Sequence, residues 1–154
     1  MKKYEFNLEK LLSYKCQMLD SAMLIMGQLQ KELLDKEYEM QAVVDKKKEC
    51  KKKMDHCLSG YRSASTFRVH LPYMQQLDEQ IAMKREEIKG IKMQIEEQRE
   101  RIKEQRLETK PLEILKETGH EEHRKEELKK EEYNLEEFVA NSKKVSETQE
   151  GFCI

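Results

Sequence analysis

Alternating steps of four and three residues from Leu8 pass through Leu12, Lys15, Leu19, Ala22, Met26, Leu29, Leu33, Lys36, Met40, Val43, Lys47, Cys50, Met54 and Cys57. Twelve of these fifteen positions are apolar in a stretch otherwise full of charge. An average spacing of 3.5 holds one stripe of a helix against a partner helix along its whole length. The pattern predicts a first helix over residues 7–58. Asn7 is placed to cap it, with Phe6 stapled onto Leu11, and Ser59-Gly60 is placed to end it.

A second stripe follows Pro72 through Met74, Leu77, Ile81, Lys84, Ile88, Ile91, Ile95, Gln98, Ile102, Gln105, Thr109 and Leu112, with isoleucine every seventh residue from 81 to 102. It continues more loosely through Leu115, Leu128, Leu135, Phe138 and Val139. This predicts a helix over 67–141, kinked near 72 and 111, where proline removes a backbone donor. Gly119 reads as a second weak point. The segment 142–154 has no period and reads as a flexible tail.

The linker at 59–66 is short, so the two helices should lie side by side and antiparallel. The expected fold is therefore all-α, an antiparallel coiled-coil hairpin over 1–141 with the longer helix second. A turn near Ser63 and Ala64 would bring Leu8 opposite residues around 120. The second helix would then overhang by about 20 residues, carrying Leu128, Tyr133, Leu135, Phe138 and Val139 without intramolecular cover, which marks a partner surface.

Two irregularities modify a uniform coil. Tyr4, Leu11, Met18 and Ile25 repeat every seven residues beside the seam and widen the apolar face. Docking of a third surface would account for them, and so would wrapping over the distal second helix. Lys15, Lys36, Lys47 and Lys84 occupy seam positions, where lysine can snorkel outward and fix register at some cost in stability.

Composition narrows the function classes. Of 154 residues 40% are charged and 6% aromatic, with two prolines, five glycines and no tryptophan. Such a chain has long helices and no thick core, and its strict period sets it apart from disordered polar sequences. The net charge of −1 gives no global pull towards nucleic acid. The longest apolar run, Ala22 to Met26, is far too short to cross a bilayer. The opening Met1-Lys2-Lys3-Tyr4-Glu5 is not of signal-peptide type, so a cytosolic chain is expected. Four cysteines, none in a CxxC pair, suit a reducing compartment.

Chemistry-bearing motifs are weak. The lysines of 46–53 spread round a helix with no aromatic or glycine between them for base stacking, and read as a solvated or acidic-partner-binding face. Gly119-His120-Glu121-Glu122-His123 puts its histidines three apart, where the metalloprotease pattern needs four, and reads as a surface cluster. Cys50 and Cys57 fall on the seam as small core residues. Paired carboxylates abound, but no pocket is in prospect to perturb them. No catalysis, cofactor or metal is expected.

The assembled residues resemble the FliJ family of the flagellar type III export apparatus. Tyr4-Glu-Phe6-Asn-Leu8-Glu-Lys-Leu11-Leu12 looks like the family's aromatic-x-Leu-x-x-Leu-Leu start. Tyr73-Met74-Gln75-Gln76-Leu77-Asp78-Glu79-Gln80-Ile81 is similar to its second-helix opening. Arg101 to Lys116 looks like its Leu-Glu-x-Leu-Lys box, and Glu131 to Phe138 resembles its terminal acidic stretch. Pro72 and Pro111 depart from the family's usual helical residues.

The resemblance implies a protein shaped like the central-stalk gamma subunit of rotary ATP synthases. It would insert in the hexameric export ATPase FliI and promote ring assembly, bind the export-gate protein FlhA, and escort substrate-free export chaperones. It would work at the cytoplasmic face of the inner membrane without inserting there, and be monomeric when free. The ATPase end would carry Tyr4, Leu11, Met18, Ile25, Leu128, Leu135 and Phe138; the gate end would carry Val43, Cys50, Tyr73, Leu77 and Gln80. The equivalent stalk of a virulence injectisome and a purely structural coiled-coil dimer are the alternatives.

Overall fold

The computed structural model describes residues 2–59 and 64–151, and the side chains of those outside 58–67. Two α-helices make up nearly all of it: α1, Glu9–Ser59, and α2, Ala64–Glu150. The turn expected at 59–66 falls mainly on 60–63, outside the described residues; Ala64 to Thr66 already belong to α2. The chain divides into two compact units, Gln17–Gln105 and Met1–Cys16 with Arg106–Ile154.

In the unit Gln17–Gln105, partner numbers fall on one helix as they rise on the other. Lys47 Nζ meets Asp78 Oδ1 at 2.5 Å, Lys36 Nζ meets Glu87 Oε2 at 3.2 Å, and Gln98 Nε2 donates to the Ala22 carbonyl at 3.0 Å. The helices are therefore antiparallel neighbours. Leu77, Ile81, Ile88, Ile91, Ile95 and Ile102 of α2 are buried against Ala22, Cys50, Met54 and the half-buried leucines and methionines of α1. Burying each isoleucine stabilises the pair by about 1.5–3 kcal/mol relative to exposure.

The four-three stepping predicts this core closely. Every α1 stripe position from Leu12 to Cys57 is buried or half-buried, and in that span only Cys16 and Val44 join them. All twelve second-stripe positions from Met74 to Leu112 are likewise sheltered. The seam lysines do more than snorkel. Lys36 and Lys84 close a four-charge cluster with Glu39 and Glu87, in which Lys84 Nζ lies 2.5 Å from Glu39 Oε2. The hydrogen bond to Glu87, then the charges of Glu39 and Glu87, raise the Lys36 pKa, and the hydrogen bond from Lys84 lowers that of Glu39.

In the other unit the same antiparallel sense holds: Lys15 Nζ meets Glu108 Oε2 at 2.6 Å, and Lys116 Nζ meets Glu9 Oε2 at 2.9 Å. The structure departs from the sequence reading in three places. Glu9 faces Lys116 and Tyr4 faces His120, about one turn short of the expected Leu8–120 pairing. The midpoint between the observed helix ends, Ser59 and Ala64, lies before the assumed turn centre at Ser63 and Ala64.

The helix start differs as well. The Leu8 carbonyl accepts the first helical bond, from Leu12 N at 2.9 Å, and a three-residue turn, closed by Glu9 N donating to the Phe6 carbonyl at 3.1 Å, precedes it. Leu8 thus takes the capping position predicted for Asn7, and Leu11 is exposed, not stapled beneath Phe6.

α2 is a single helix through both Pro72 and Pro111. The carbonyls those prolines leave without a donor belong to Arg68 and Leu107, both surface residues, where water can serve them.

The third departure is length: α2 runs to Glu150, past Asn141 where the period stops. Ser142 Oγ donates to the Phe138 and Val139 carbonyls, Ser146 Oγ to Lys143, and Thr148 Oγ1 to Lys144. These hydroxyls are satisfied inside the helical geometry and do not compete with it.

Candidate partner-binding surfaces

Past Leu112 the sheltered row on α2 continues through Lys116, Gly119, His123 and Glu127. The sequence reading had run it through Leu115 and Leu128, but Leu115 is exposed and Leu128 is 49% exposed. The reason lies at the other end of the chain. Residues 2–6 are not helical, so Tyr4 is no member of the heptad Leu11, Met18, Ile25; it lies across α2 instead.

Its ring stands edge-on to His120 with centroids 5.7 Å apart, and tilted against His123 at the same separation. Gly119 makes the space. A Cβ there would come within 2.9 Å of Tyr4 Cζ and closer still to the hydroxyl. The glycine expected to weaken the helix is the seat of an aromatic ring, and His120 and His123, which follow it on α2, are the ring's neighbours. No group of three or more His, Cys, Asp or Glu among the described residues could hold a metal.

Beyond His123, α2 carries exposed apolar side chains. Leu128, Leu135 and Phe138 are exposed, the last at 71%, as are Tyr133, Val139 and Val145. Every residue from Glu131 to Gly151 is exposed. Leu135, Val139 and Ala140 line a shallow hollow of about 420 Å³ with Glu136 and Lys143. On the same unit Leu11 is exposed, and so are Ile114 and Leu115.

The remaining predicted positions lie in Gln17–Gln105. Met18 and Ile25 are exposed beside the seam. Of the five residues assigned to the gate end, Tyr73 and Gln80 face outward, Val43 is half-buried, and Cys50 and Leu77 are inside the seam, 4% and 3% exposed. Those two cannot meet a partner while the helices stay paired. Cys50 Sγ instead lies 4.0 Å from His70 Nδ1. Seam membership decides this: Cys50 and Leu77 belong to the very stripes that pair the helices, whereas Tyr73 and Gln80 fall between stripe positions. Sequence reasoning also passed over the outer apolar residues Leu24, Leu34 and Tyr38 of α1, exposed at 62% or more. They sit outside any heptad and carry no periodic signal.

No helix among the described residues is long and apolar enough to cross a membrane. Residues 4–146 match the family described as Flagellar FliJ protein. No curated protein and no solved structure matches.

Proposed function

The chain belongs to the flagellar FliJ protein family, and from that premise we propose that it acts in flagellar protein export as a stalk seated in the export ATPase FliI. The exposed strip Leu128, Leu135 and Phe138 carries this reading. It lies on a helical extension too charged to fold on itself and too apolar to be left in water without use. Leu11, exposed on the same unit, adds to it, and Met18 and Ile25 supply the apolar column of α1 in the other unit. Tyr4 acts here by holding the N-terminal segment on α2, not as a contact.

In this reading the chain promotes assembly of the hexameric ATPase ring and escorts substrate-free export chaperones. It engages the export gate FlhA through Tyr73 and Gln80, with Val43 at the margin and Cys50 and Leu77 as the packing beneath. It works in the cytoplasm at the inner membrane face, as a monomer when free.

The test is capture of FliI by the purified chain and by its Leu11→Asp and Phe138→Asp variants. Both are surface changes, so circular dichroism should be unaltered while capture falls several-fold. Undiminished capture by both variants would remove the ATPase assignment. Light scattering of the free chain should give a mass near 18.5 kDa. Twice that mass would favour a structural dimer.

A further inference from the structure

The N-terminal segment and α2 enclose a groove of about 440 Å³ beside Tyr4. Lys2 and Lys3 border it on one side and His123 and Arg124 on the other, and Leu128 supplies apolar lining. What distinguishes it is the pairing state of its charges. The seam lysines 15, 36, 47, 84 and 116 each hold a carboxylate within 4.0 Å. Lys2, Lys3 and Arg124 have no ion pair among the described residues.

Of the two carboxylates at the groove, Glu127 already holds Lys130 at 3.4 Å, and Glu131 is the remaining one. Three cations against that one carboxylate leave the concave site net positive, and it also offers a tyrosine ring and a leucine. A surplus of positive charge in a concave site attracts an anion.

We propose that this groove binds an acidic segment of a partner protein, with carboxylates on Lys2, Lys3 and Arg124 and one apolar side chain against Leu128. A short peptide suits the site better than a polyanion. The next turns of α2 carry Glu131, Glu132, Glu136 and Glu137, all exposed, and these repel any extended run of phosphates. The leucine has an apolar side chain to receive and nothing to offer a phosphate. The inference does not depend on which protein the chain serves, so it stands or falls separately from the ATPase assignment.

The experiment is fluorescence anisotropy on the full chain, with a short fluorescein-labelled peptide of Asp and Glu around one Leu. Its neutral counterpart of Asn, Gln and Leu is the control. Saturable binding of the acidic peptide alone is expected, weakening as salt is added because the groove cations are exposed. Arg124→Glu, and Lys2→Glu with Lys3→Glu, should each weaken it about tenfold or more.

The same charge change at Lys51 and Lys52, also exposed but on the other unit, should leave it within about twofold. Equal loss from both pairs of substitutions would reduce the effect to bulk charge and overturn the site, as would binding unchanged by the groove variants. Tighter binding of a single-stranded oligonucleotide, or of vesicles rich in anionic lipid, would overturn the assignment to a protein segment. The charge reversals are at solvated residues, so circular dichroism should be the same for every variant.

Discussion

Between Gln17 and Gln105 the two helices turn nearly every seam side chain on each other; between Gly119 and Glu150 a single helix meets first a non-helical strap and then stands exposed. The first region has a row of buried isoleucines, a buried Gln98–Ala22 hydrogen bond and a four-charge cluster across the seam. The second has histidines and a glycine under Tyr4, and then exposed Leu135 and Phe138. Apolar residues thus do two different jobs in one chain. Where they recur at 3.5-residue spacing opposite a matching stripe, they hold the fold. Where no stripe faces them, they are free for a partner.

Substitutions should separate the two jobs sharply. Ile88→Ala removes a buried side chain at the middle of the seam and should cost about 2–5 kcal/mol. Leu135→Ala, on the uncovered strip, should change stability by less than about 0.5 kcal/mol. Urea denaturation followed by helical circular dichroism reads both. Comparable losses would mean that Leu135 is covered in solution, and the contrast between the regions would collapse.

The strap gives a smaller effect. Replacing glycine by alanine inside an exposed helix ordinarily stabilises it by about 1 kcal/mol. At 119 the new methyl would meet the hydroxyl end of the Tyr4 ring, which must shift to admit it, so Gly119→Ala should gain less than that. In a Tyr4→Ala background nothing has to move and the ordinary gain should return. Hydrogen exchange at Leu8 to Lys10, together with the thermal midpoint of the four proteins in the cycle, reads the difference. An equal gain in both backgrounds would leave the Tyr4–Gly119 contact without energetic weight.

How much of this was legible beforehand follows the same division. The seam could be read because its period is strict and its apolar residues stand out against charge; Leu12 to Cys57 and Met74 to Leu112 are sheltered as the spacing requires. The register near Tyr4 could not be read, because extending the heptad back from Leu11 assumes a helix that starts only at Glu9. The row Lys116, Gly119, His123 and Glu127 is sheltered without being apolar, so hydrophobic patterning passed it over in favour of Leu115.

Helix beyond Asn141 was missed for a related cause. With no facing stripe there is no period to see, and continuation rests on local propensity, with the hydroxyls satisfied by bonding back within the helix. Among the candidate contacts, Cys50 and Leu77 are buried because the stripes that identified them are the same stripes that pair the helices.

The smallest effect expected is electrostatic, and it belongs to the paired region alone. Glu39 has its pKa lowered in the folded chain by the hydrogen bond from Lys84 and the charges of Lys36 and Lys84. A depressed carboxylate adds stability above its unfolded value, near 4.5, and loses it as pH falls through the folded value. Lys36, raised by Glu87 and Glu39, adds stability below about 10.5 and loses it as pH climbs beyond. The cluster should therefore contribute across the neutral range and fail at both ends.

Because these groups are solvated, the contribution is small and screened by salt. Glu39→Gln should lower the thermal midpoint slightly at neutral pH in low salt, and the difference from the native chain should vanish at pH 3 or in molar salt. A difference that persisted undiminished under both conditions would point to packing by the Glu39 side chain in place of charge. The four-charge cluster would then cease to be one of the features that set the seam apart from the extension.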